Sequence, residues 1–140
     1  HIVRSKADVR AVTVTGFGSE WLLQELVLGR YEHCTSLLLK DGVIHDAITS
    51  TYDYAEEEYI WPHVKELTAN RVSTRDVHPG HLLTMRAFLD GYEGICNFNY
   101  KVRESGDLAI FEINTRMGAD LGCDVPAPML RKLMRTLDAV

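Results

Sequence analysis

With 140 residues, 46% of them hydrophobic and 25% charged, the chain has the make-up of an ordinary globular domain and enough length for one core, so residues 1–140 are expected to form a single domain. A net charge of −5 and the lack of a basic run interleaved with aromatics exclude a nucleic-acid footprint, and no apolar run suggests a membrane span or a signal-peptide core. Cys34, Cys96 and Cys123 are odd in number and widely spaced, which speaks against a disulfide framework and suits a reducing, cytoplasmic setting; His1 at the start reads as the end of a trimmed product.

Residues 2–4 read as a short strand, and Ser5 as the N-cap of a helix with Asp8 in its first turn, closed by Gly16 and Gly18. Residues 21–39 open on a continuous apolar run around Gln24 and Glu25, the pattern of a strand covered on both faces, which Gly29 breaks. Asp41 and Gly42 are a hairpin signal joining strands over 32–40 and 43–54. The triplet Glu56, Glu57, Glu58 reads as a solvated loop, and 61–67 as a short helix. A helix follows from Thr74 or Asp76 to residue 89, with Leu82, Met85, Phe88 and Leu89 at helical spacing. His45 beside Asp46, and the pair His78 and His81, lack the companion ligands of a zinc site and read as incidental.

The most informative stretch is 94–116, GICNFNYKVRESGDLAIFEINTR, in which two β-favouring runs flank Ser105, Gly106 and Asp107. With Ser105 and Gly106 at the tip, Asn99 pairs with Glu112 and Asn97 with Asn114, and the four polar residues share one face. Ile95, Phe98, Tyr100, Phe111 and Ile113 supply the bulk of the other face, with Lys101 opposite Ile110 breaking the pattern. A carboxylate among three carboxamides is poor core material and suits a hard cation such as magnesium. Beyond it the loop 117–122 is small and flexible, with Asp120 expected to face substrate. A last helix over 129–137 has Leu130, Leu133, Met134 and Leu137 on its packing side.

Glu112, Ile113, Asn114, Thr115 and Arg116 together resemble the E-x-N-x-R signature that closes the ATP-grasp domain. The resemblance implies that Glu112 and Asn114 hold Mg2+ on the phosphates of ATP, with Asn99 at the position of a further ligand. It also implies that Arg116 acts catalytically on phosphate or acylphosphate, and that Asn97 stands on the nucleotide side where some branches carry arginine. Gln24, Glu25 and Gly29 resemble the family's hinge, where backbone near Val27 would pair with the adenine edge and Glu32 or His33 would meet the ribose. IVRSKADVRAV resembles the segment after the glycine-rich phosphate loop, which, with its lysine, is not in this sequence.

The fold class so implied is α+β, an antiparallel sheet with helices packed on one face, as in the C-terminal half of an ATP-grasp domain. The function implied is that of a ligase fragment using ATP and magnesium. A small carboxylate becomes an acylphosphate and an amine attacks it; the fragment, separated from its N-terminal partner lobe, is expected not to turn over ATP by itself. Asn99, where the family has an acidic residue or glutamine, points to weak or single-site metal binding. The Asn substitutions and the acidic triplet support an alternative, a non-catalytic scaffold or partner-binding module. A metal-dependent hydrolase using Glu112 and the histidines would lack a positioned base.

Overall fold

The computed structural model describes all 140 residues. Five antiparallel strands form one sheet in the order β3-β2-β1-β4-β5: β1 Tyr31–Lys40, β2 Val43–Asp53, β3 Val72–Thr74, β4 Gly94–Val102 and β5 Leu108–Asn114. Four helices accompany it: α1 Lys6–Val12, α2 Pro79–Ala87, α3 Ala119–Cys123 and α4 Ala127–Ala139. The expected α+β class with an antiparallel sheet is therefore found. No helix is long and apolar enough to cross a membrane.

Local chemistry explains the best-defined junctions. Ser5 and Asp8 form a capping box at α1, each side chain meeting the other residue's backbone N–H. At the β1–β2 turn Asp41 and Gly42 both have positive φ, 50° and 70°, the backbone that matches a tight hairpin to strand twist. Pro79 at the first position of α2 needs no hydrogen-bond partner for its nitrogen, and His78 Nδ1 caps the Gly80 N–H.

Leu37, Leu38 and Leu39 are all buried, and consecutive strand residues can be so only if both faces of the sheet are covered. Leu37 and Leu39 join Phe98, Tyr100, Met85 and Leu89 in a core that includes α2. Leu38 joins Ile48, Ile95, Leu121, Val125 and Leu133 in a second core formed with α3 and α4. Helices thus lie on both faces rather than on one. Ile95 belongs with this second core, on the face of Asn97 and Asn99, and not with Phe98 and Tyr100.

Several expected elements are replaced. Residues 2–4 are not a strand, and α1 ends at Val12, where the Thr13 N–H closes on the Val9 carbonyl before either glycine is reached. The apolar stretch 21–29 is irregular, with Leu22 at 82% exposure, because no strand runs beside it to take its backbone bonds. Residues 61–67 are not helical; Tyr54 and Glu66 instead form an isolated bridge. Val72–Thr74 pairs along Thr49–Thr51 as an edge strand, which delays α2 to Pro79.

The β4–β5 hairpin differs from expectation in two ways that cancel. The turn takes residues 103–107, so Val102 pairs with Leu108, and Lys101 with Ala109 rather than Ile110. A bulge beside Asn99 and Tyr100 then absorbs Phe111, restoring Asn99 to Glu112 and Asn97 to Asn114. Phe98 is wholly buried at the centre of this arrangement. Phe98→Ala should cost about 3–5 kcal/mol of stability, read from urea unfolding; a loss under about 1 kcal/mol would mean that this core does not hold the sheet.

Candidate functional site

Alternation along β4 puts Asn97, Asn99 and Lys101 on one face, beside Ser36 and Cys34 of β1 and beside Asn114 and Glu112 of β5. The four polar residues expected to share a face do so. At the inner end Asn97 is buried, its Nδ2 within hydrogen-bonding distance of Ser36 Oγ at 2.9 Å, Cys34 Sγ at 3.0 Å and Asp120 Oδ1 at 3.1 Å. Asn99 Nδ2 lies 3.3 Å from both Asn97 Oδ1 and Glu112 Oε2. Towards the outer end Glu112 is exposed and Asn114 half-buried, while Arg116, just beyond β5, is exposed with its guanidinium on the Met117 carbonyl at 3.2 Å.

Asp120 corrects the expectation of a substrate-facing loop. It sits in α3, only 4% exposed, and its Oδ2 has no hydrogen-bond partner. Burial raises its carboxyl pKa, and burial together with the nearby Asp120 pushes the Cys34 thiol up to about 12. The backbone at Gly118 passes so close that a Cβ there would lie 2.1 Å from Asp120 Oδ1 and 2.5 Å from Asn97 Nδ2. The loop after β5 is therefore seated on this polar cluster.

Beyond Asn99 the same face runs into a cleft of about 590 Å³. Its walls include Leu22, Gln24, Glu25, Val27, Glu32, Tyr59, Trp61 and Phe111, with Lys101 at the base. The hinge residues and Glu32 thus line one cavity, although the hinge is not a strand. Glu25 carboxylate oxygens are held by Arg103 at 2.6 Å each. Glu32 accepts a hydrogen bond from the Tyr59 hydroxyl at 3.0 Å, and burial raises its pKa despite that bond. His33 stacks on Tyr100 and lies 3.0 Å from Thr51 Oγ1, on the opposite face, so of the two ribose candidates only Glu32 lines the cleft.

Sequence reasoning missed Lys101, Tyr59 and the exposed Phe111. The signal for Lys101 was its odd number, which continues the alternation of Asn97 and Asn99. No three histidine, cysteine or carboxylate side chains converge as a metal cage. One carboxylate, Glu112, with the carboxamides of Asn99 and Asn114, is a donor set that fits Mg2+ arriving with phosphate oxygens and keeping its waters. The chain matches no protein-family description, no curated protein and no solved structure.

The buried Asp120 fixes a pH dependence. A carboxyl whose folded pKa is raised destabilises the fold as pH climbs from its ordinary value near 3.8 through the raised one, whereas an amide does not titrate. Asp120→Asn should therefore gain stability relative to wild type across that rise, read from urea midpoints at about pH 3, 5 and 7. A difference that is flat or falls with pH would show that Asp120 is not buried in this way.

Proposed function

We propose that this chain is a nucleotide-binding lobe of the ATP-grasp kind, serving an ATP- and magnesium-dependent ligase that activates a small carboxylate for attack by an amine. The observation that carries the reading is the β4–β5 register. It aligns Asn99 with Glu112 and Asn97 with Asn114 on one face, next to an apolar cleft lined by the Gln24–Val27 segment. Such a cleft suits a planar base, and an oxygen-rich strand pair suits a phosphate-bound cation.

In this reading the base of ATP lies between the 22–27 wall and Phe111, with its ribose at Glu32. The phosphates run along Asn99, Glu112 and Asn114 towards Arg116. Magnesium, if held there, would supply positive charge to offset that of the transferred phosphoryl group. Glu112 supplies the one carboxylate for it, with Asn99 and Asn114 as neutral donors. Exposed Arg116 has a guanidinium suited to forked contact with phosphate or acylphosphate.

A second reading, a non-catalytic nucleotide-binding scaffold, is favoured by one specific observation: Asn97 is turned inward to Cys34, Ser36 and Asp120, so its amide is spent on the fold and not offered to a ligand. The two readings part on phosphate release once an N-terminal partner lobe is joined to the chain, which a ligase then shows with carboxylate and amine present and a scaffold does not.

Calorimetric titration with ADP and magnesium tests what they share. Wild type should bind, and Glu112→Ala should bind at least about tenfold more weakly in the presence of magnesium, with a smaller change when EDTA replaces it. Equal affinity of both proteins with magnesium present would remove Glu112 from the site.

A further inference from the structure

The cleft wall is poorly held by its own backbone. Between Trp21 and Gly29 the backbone bonds are a local turn, Trp21 N–H to Gly18 O at 3.2 Å, and Gly29 N–H to Glu57 O at 3.0 Å. Two cations at the end of β4 hold what lies between. Arg103 grips Glu25, but their side chains are 38% and 61% exposed, and ion pairs so exposed contribute little. Lys101 is only 2% exposed, and its ammonium donates to the Val27 carbonyl at 2.9 Å while lying 4.0 Å from the Tyr59 ring centre.

Burying an ammonium against a carbonyl and an aromatic face, with no carboxylate directly bonded to it, is expensive unless the charge does something there. The chemistry around it specifies what. Val27 lines the cleft where a base edge would be read, and Lys101 is the buried side chain that ties its carbonyl to the sheet. One of its three donors is so used, and the ammonium lies against the ring at the lining of the cleft.

We infer that Lys101 is the positioning residue of this cleft, holding Val27 and with it the 22–27 wall in place for the base of a purine nucleotide; the ligand named here rests on the nucleotide reading above. The test uses the whole chain as wild type, Lys101→Met, which keeps an unbranched apolar stem, and Lys101→Arg, which keeps a donor. Backbone 15N order parameters are measured by NMR without ligand, and ADP affinity by calorimetry.

In Lys101→Met the order parameters of 22–28 should fall by about 0.2 or more, while those of β1 and β4 stay as they are. The Kd for ADP should rise about tenfold or more, with Lys101→Arg recovering most of both effects. Unchanged order parameters of 22–28 in Lys101→Met overturn the inference. Wild type that binds no ADP while the order parameters respond as expected overturns the nucleotide reading and leaves the fastening standing. Should Lys101→Met fail to fold, NMR of wild type decides: a slowly exchanging Lys101 ammonium signal that moves on ADP addition supports the role, and one exchanging like those of exposed lysines removes it.

Discussion

The candidate site depends on the parity of one strand pair. Side chains on β5 alternate, so a shift of one residue against β4 would turn Glu112 and Asn114 into the α2 core and bring Ile113 out. The hairpin reaches the productive register by two irregularities, a turn over residues 103–107 and a bulge at Phe111. Either one alone would give the wrong parity. The bulge has a second effect, since it turns Phe111 out of the ladder and into the cleft wall, where an aromatic face is useful to a flat ligand.

The polar face divides into a fixed end and an adaptable one. Asn97 has every polar atom engaged by buried neighbours, Cys34 is held as a neutral thiol, and Asp120 is sealed beneath the loop. That end behaves as structure. Glu112, Asn114 and Arg116 lie towards solvent, and the bonds that Glu112 and Arg116 make are ones that a ligand could replace. A weakly charged outer end next to a rigid inner one suits a cation delivered with its own anion better than a resident ion.

What could be read in the sequence was local. The Asp41–Gly42 turn and the Ser5 cap follow from local chemistry, and the pairs Asn97 with Asn99 and Glu112 with Asn114 from a period of two; that the two pairs meet across the hairpin rests on the longer turn and the bulge offsetting each other. The run at 21–29 misled because an apolar strand pattern states what a segment would bury, not whether a partner strand lies beside it. The distribution of α2 and α4 over two faces was hidden for a related reason: a helical stripe shows that a helix packs, not on which side. Lys101 looked like a flaw in an apolar face because Ile95 had been put on that face with Phe98 and Tyr100; correct alternation makes it the next member of the polar row. Asp120 looked like a loop residue because five residues of α3 carry too little periodicity to announce a helix.

The tight passage of Gly118 over Asp120 and Asn97 also governs the reach of Arg116. Two residues upstream of a post that admits no side chain, the arginine is tethered on one side by the end of β5 and on the other by this glycine. A side chain at 118 would press first on Asp120 and Asn97, so the loop could make room only by lifting from its seat and carrying the exposed guanidinium with it.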